Sequence, residues 1–183
     1  MMQPPSVRRG FAKDLTADGV HDIGGHAMSI APTLQTYLAA ENIQYREIPH
    51  EPTMSSNRTA QACHVSGDRL AKSIVLRYDG GYMLAVMPAS HRLRLAEVRA
   101  RLGEDVEMAD EDEISELFRD CANGAVPAVG KCYGLNVIVD DSIETQPEVY
   151  MEAGDHRTLL HLSHAEFARL TANARHGRFS THA

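Results

Sequence analysis

The chain has 183 residues, 43% hydrophobic and 23% charged, with a formal net charge of −7 and no tryptophan. This is the composition of one globular domain, sized to bury roughly 70% of its unfolded surface. The acidic balance excludes a broad, sequence-independent grip on nucleic acid, which needs many cations against phosphates. No stretch approaches the roughly 20 apolar residues of a bilayer-spanning helix. No apolar signal core stands at the start, so a cytoplasmic protein without a membrane or DNA partner is expected.

Residues 1–28 carry Pro4-Pro5, Arg8-Arg9 and Gly24-Gly25 without a sustained apolar period, and read as a disordered arm ahead of a domain over 29–170. Pro32 suits the first turn of a helix whose stripe of Leu34, Tyr37, Leu38 and Ile43 ends near Asn42. A strand follows over 43–48. The hydroxyls over 53–56 cap a short helix reaching Val65. Two apolar runs, 71–78 and 82–87, meet at Asp79-Gly80-Gly81, a hairpin signal.

A helix over 95–102 stops at Gly103. Its arginines, with Arg92 and Arg94, read as a solvated face rather than a nucleic-acid contact. After a short strand over 106–109, Asp110 caps a helix with acids in its first turn. Strands over 136–140, 148–153 and 158–162 follow, and Ser163-His164-Ala165-Glu166 is a capping box opening a last helix to Leu170. The polar residues 171–183 read as a flexible tail. About six or seven strands with four or five helices, one pair being a hairpin, give a mixed α/β sheet.

Two segments break the pattern. Lys72 is a lone cation in the strand Leu70-Ala71-Lys72-Ser73-Ile74-Val75-Leu76, where desolvation is costly unless it meets an anion or a cleft. Its bland alternative is a stem packed along the strand with the ammonium in water. The run Asn123-Gly124-Ala125-Val126-Pro127-Ala128-Val129-Gly130 is small, uncharged and Gly/Pro-punctuated, a surface turn or a loop whose exposed backbone holds a ligand facing Lys72.

Residues 38–45 leading to His50, residues 70–75, residues 124–130, and Ala153-Gly154 before residues 158–163 form an ordered set. Together they resemble the YbaK/EbsC family, free-standing relatives of the editing domain inserted in bacterial prolyl-tRNA synthetases, over roughly residues 30–170 of this chain. The resemblance implies a strongly curved, barrel-like mixed sheet with helices outside. It implies hydrolysis of mischarged aminoacyl-tRNA by water attack on the ester. The partner is then the acceptor end of the tRNA, with a synthetase or elongation factor as a further candidate. Fold likeness also leaves room for a non-catalytic tRNA- or protein-binding regulatory module.

The resemblance makes Lys72 the key residue, binding the terminal adenosine phosphate or orienting the ester. It makes Gly124, Ala125, Val126, Pro127, Ala128 and Gly130 a backbone-lined ester pocket. His50, Gly154 and His156 stand beside it. Relatives carry Gly-x-x-x-Pro in this loop. Here Gly124 matches, Ala128 holds the proline position, and Pro127 sits one place early. The small loop residues point to a small amino acid such as alanine or serine.

Neither metal nor cofactor is expected. Cys63, Cys121 and Cys132 lack a zinc spacing and read as reduced thiols. Cys63 and His64 are neighbours on a helix and do not face each other. His156, His161 and His164 have no ligand rhythm.

Overall fold

The expected hairpin forms the centre of the computed structural model, which describes residues 30–183. The arm expected over 1–28 lies outside the described residues. Strands β2 (Leu70–Tyr78) and β3 (Gly81–Pro88) pair antiparallel from Ala71↔Pro88 to Tyr78↔Gly81. Gly81 takes φ +122° at the turn, a value suited to glycine.

Around this pair lie β1 (Arg46–Pro49), β4 (His91–Leu93), β5 (Glu107–Met108), β6 (Asn136–Asp140), β7 (Glu148–Glu152), β8 (Thr158–Ser163), β9 (Arg175–Gly177) and β10 (Ser180–His182). The main sheet runs β1-β8-β7-β2-β3-β6-β9, with β5 beside β2, while β4 and β10 form a separate ribbon. It is mixed: β7 and β6 run parallel to β2 and β3 respectively, and β6 parallel to β9. Among the described residues the sheet runs from β1 to β9 without closing into a barrel.

Six helices are described: α1 (Pro32–Ala40), α2 (Ser56–Ala62), α3 (Leu95–Leu102), α4 (Glu111–Leu117), α5 (Asp141–Glu144) and α6 (His164–Thr171). Their ends follow local chemistry. Ser55 caps α2, Asp110 and Glu113 complete a reciprocal box on α4, and Ser163 caps α6. Gly103 ends α3 in the left-handed region.

The period of two along each strand sorts side chains onto two faces. Ala71 and Val75 of β2 point, with Leu84, Val86, Val149, Met151, Leu160 and Leu162, into a core closed by α1, α5, α6 and residues 126–135. Leu76 points the other way, with Met83, Ala85, Met87 and Ile138, toward α3 and Phe179. Leu70 and Leu159 share that second side with Ala60 of α2. These are called below the α1 face and the α2 face.

The tail expected over 171–183 is not loose. β9 adds to the edge of β6, β10 pairs with β4, and Phe179 between them is fully buried. The backbone N–H groups of Phe179 and Ser180 both donate to Asp140 Oδ2 at 2.8 Å. One phenylalanine and an edge ladder dock this segment. Neither leaves a repeating apolar pattern in the sequence.

Candidate functional site

β2 and β7 are parallel neighbours for only two residue pairs, Leu70↔Tyr150 and Ala71↔Met151. Continuing the register would set Lys72 beside Glu152, on the α2 face. There the strands part instead: β7 goes on against β8 to Glu152, and β2 next meets β5 at Leu76.

The Gly124 loop spans this parting. Ala122 N–H donates to Gly154 O at 2.7 Å, just past β7, and Ser73 Oγ of β2 donates to Pro127 O at 3.1 Å. His156 Nε2–H donates to Asn123 O at 2.7 Å, and a Cβ on Gly124 would touch the His156 ring at 3.7 Å. The structure therefore brings Gly124, Pro127, Gly154 and His156 together.

Gly154 has a packing reason to be glycine. Its φ is +109°, and a Cβ would lie 2.8 Å from Ala31 Cβ and 3.2 Å from Cys121 Sγ. Gly130 has another, since a Cβ would lie 2.7 Å from Val137 Cγ2.

Two expectations about this region change. Lys72 does not face the loop, because its neighbour Ser73 does and adjacent strand residues point to opposite faces. Nor is the loop backbone open throughout: residues 122–124 are exposed, but Ala125, Val126, Pro127, Ala128, Val129 and Gly130 are buried. Val126, Ala128 and Val129 belong to the α1-face core. Small apolar residues serve packing there, so they carry no information about the size of a bound amino acid. Ala128 and Gly130 also line a separate cleft of about 250 Å³ with Tyr37, Glu41, Lys131 and Arg169.

Lys72 is half-buried on the α2 face. Its Nζ donates to Ala89 O at 3.2 Å and to His91 O. Burial, then the nearby Arg92 charge, pushes its pKa below the ordinary lysine value. An ammonium has three N–H donors, so the two carbonyls leave one free to meet a ligand. Next to it, β10 sets Ser180 Oγ 2.8 Å from His91 Nδ1 and packs His182 edge-on to the His91 ring at 5.6 Å. Of the other arginines in that sequence cluster, Arg94 pairs with Glu97 and Arg99 with Asp105.

Across the parting, the turn after β1 is tied to the turn after β7. His50 N–H donates to Arg157 O at 2.7 Å, and Thr53 N–H to His156 O at 3.4 Å. This encloses Glu152, only 6% exposed. Its Oε1 accepts from Thr59 Oγ1 at 3.2 Å, and Thr59 also shares a hydrogen bond with the Thr53 hydroxyl. Glu152 Oε2 and His50 Nε2 are buried without a partner among the described residues.

Sequence reading missed Glu152, Thr59, Thr53 and Ser73. In Glu148-Val149-Tyr150-Met151-Glu152 the alternation makes Glu152 look solvent-facing. Only the packing of α2 over that end of the strand buries it.

Burial raises the Glu152 pKa above the ordinary carboxylate value, against His156, His50 and the Thr59 hydroxyl, which lower it. A carboxyl raised on folding costs stability as pH climbs from its unfolded value through its folded one, and costs nothing below the unfolded value. Glu152→Gln is therefore expected to melt above the parent at pH 8 and to lose that advantage by pH 4, measured by thermal unfolding across pH. A lower melting temperature at pH 8 would show that the ionised carboxylate is stabilising.

The thiols stand apart from this chemistry. Burial pushes Cys121 up to about 11 and Cys132 up to about 12, and raises Cys63 as well, with Glu152 adding to it. All three stay protonated at neutral pH, where a nucleophile needs thiolate. Among the described residues no group of three His, Cys, Asp or Glu side chains is placed to hold a metal. His161 bonds Glu148 and His164 bonds the Gln146 carbonyl.

Residues 50–170 match the model of the aminoacyl-tRNA editing domain. Among solved structures, one provisionally described as a trans-editing enzyme for prolyl-tRNA synthetase is 25% identical. That alignment covers 82% of this chain and 96% of the other, with a TM-score of 0.73. A scaffold from epitope backbone grafting is 24% identical over 82% of this chain and 97% of its own, also at 0.73. A protein of Marinobacter aquaeolei VT8, provisionally described as acting in signal transduction, is 20% identical at a TM-score of 0.65. There the alignment covers 81% of this chain but 30% of the other, so the fold also occurs within a longer chain. No curated protein matches.

Proposed function

The chain belongs to the aminoacyl-tRNA editing domain family, and from that premise we propose that it frees wrongly attached amino acids from tRNA by hydrolysing the ester. The observation that carries this reading is the parting of β2 and β7. On the α2 face one strand holds a half-buried ammonium with a donor to spare and the other a buried carboxylate, and the Gly124 loop ties to both strands at the parting, through Ser73 and Gly154.

In this reading the 3′-terminal nucleotide of the tRNA lies over Lys72, whose remaining N–H meets a phosphate or ester oxygen. The exposed backbone at Asn123 and Gly124 positions the aminoacyl group. Water attacks the ester carbonyl carbon, and the carbonyl oxygen takes the developing negative charge, which fixed N–H donors stabilise. The bond from that carbon to the ribose oxygen then breaks. One proton of the water goes to the ribose oxygen and one to solvent, leaving a free amino acid and uncharged tRNA. An aminoacyl ester is already activated, so neither a side-chain nucleophile nor a metal is required. Editing of this kind serves where a pocket cannot reject a similar or smaller side chain by binding alone.

Replacement of Cys63, Cys121 and Cys132 together by alanine or serine is expected to leave most of the activity. Loss of activity in a variant with unchanged melting would restore a thiol mechanism.

The reading is tested by mixing catalytic amounts of protein with alanyl-, seryl-, cysteinyl- and prolyl-esters of tRNA and measuring release of the amino acid. Multiple turnovers on at least one ester are expected. Binding of tRNA with release no faster than spontaneous hydrolysis would instead identify a binding module on the same fold.

A further inference from the structure

The geometry points to Glu152 as the receptor for the free α-ammonium of the amino acid being removed. The inference rests on the editing reading above and assigns a specificity-determining residue within that site.

Buried polar atoms in folded proteins are nearly always partnered, and an unpartnered one calls for a reason. Two such atoms occur among the described residues, Glu152 Oε2 and His50 Nε2. The carboxylate accepts through either oxygen when ionised. His50 Nδ1 donates to Glu51 O at 2.8 Å, which leaves Nε2 as the ring nitrogen without a partner.

The two are not hydrogen-bonded to each other, and the hydroxyl that serves Glu152 reaches only Oε1. What Glu152 Oε2 lacks is a donor, best one with several N–H groups and a positive charge. An aminoacyl ester carries such a group on the carbon next to the carbonyl under attack. The distance from an ester carbonyl to its own ammonium is one carbon atom, so an ester held at the Gly124 loop brings the ammonium to one wall of the parting. That wall is Glu152, since the opposite one is the Lys72 cation and repels it.

The local construction fits a receptor better than a core ion pair. Glu152 has no salt bridge among the described residues, in contrast to the part-buried Glu148, which pairs with both Arg69 and His161. A carboxylate only 6% exposed, kept without a cation, is costly to stability. Such a cost is characteristic of groups retained for a ligand. The segment that encloses it is also built to hold His50 in place: its N–H is tied to Arg157 O, and the neighbouring Thr53 is tied to both His156 O and Thr59.

The consequence is chemical discrimination. Esters with a free amine fit, while N-acylated esters, such as those on initiator or peptidyl-tRNA, present no ammonium and leave Glu152 Oε2 unmet. The test compares a non-hydrolysable amide, 3′-alanylamido-3′-deoxyadenosine, with its N-acetyl derivative by calorimetry, and alanyl-tRNA with N-acetylalanyl-tRNA by hydrolysis.

The parent is expected to favour the free amine by at least about tenfold in both, the scale of one charge-assisted hydrogen bond. Glu152→Gln keeps the shape and the bond from Thr59 but loses the charge, and its preference is expected to fall to about threefold or less. Exclusion of the acetyl group by size alone would survive in Glu152→Gln, and a retained preference there overturns the inference. A parent that treats both analogues alike overturns it without any variant. A parent that neither binds the analogues nor hydrolyses any ester brings down the editing reading itself, and this inference with it.

Discussion

Lys72→Ala is expected to slow release of the amino acid from a preferred mischarged tRNA by at least about tenfold, roughly 1.4 kcal/mol in the barrier, while the protein stays folded. The ammonium is half-buried, anchored by the carbonyls of Ala89 and His91, and has one donor left over. A group fixed in that way before substrate arrives loses little on binding it. Lys72→Arg is not a conservative rescue, because a planar fork does not reproduce three donors on a point charge. Single-turnover deacylation, with circular dichroism as a check on folding, measures the effect. A rate unchanged across the ester panel would remove Lys72 from the mechanism.

Phe179→Ala is expected to destabilise the fold by about 3–5 kcal/mol, the cost of emptying a phenylalanine site in a packed core. Phe179 is fully buried against the cluster of Leu76, Met87, Val98 and Ile138. Removal of residues 175–183 is expected to cost more, since it also strips β9 from the sheet and leaves Asp140 buried without the Phe179 and Ser180 N–H groups. Burial alone would raise the Asp140 pKa, but Ser142 and those N–H donors outweigh it and hold it below the ordinary value. A depressed carboxyl contributes stability above its unfolded pKa and loses it as pH falls through the folded one. The gap between parent and truncated protein should therefore narrow in acid. Urea unfolding at two pH values measures both. A truncated protein that unfolds at the parent's midpoint would show that the segment does not dock.

Much of the fold is legible because helix ends and the hairpin carry their own chemistry. Ser55, Gly103, Asp110 and Ser163 act at the ends of elements where their side chains, or the lack of one, meet a backbone requirement. The docked tail was not legible, because three-residue strands carry no period and a single phenylalanine has no face. Closure of the sheet was not legible either, since no local residue decides whether β1 meets β9.

In the candidate site, the oddity of Lys72 showed plainly, but its direction did not. A one-residue step in a strand reverses the face, and it is Ser73 that meets the loop. The loop itself misled, because glycine, alanine and valine suit both an open pocket and a tight core. Glu152 was hidden by a regular alternation that the overlying α2 overrides.

The proposed seat of the aminoacyl ester is where β2 and β7 part, and amide chemical shifts test that placement most directly. Titration of the isotopically labelled protein with 3′-alanylamido-3′-deoxyadenosine is expected to shift Lys72, Ser73, Gly124, Glu152 and His156 together. Shifts confined instead to Tyr37, Glu41, Gly130, Lys131 and Arg169, the residues of the separate cleft on the α1 face, would contradict it.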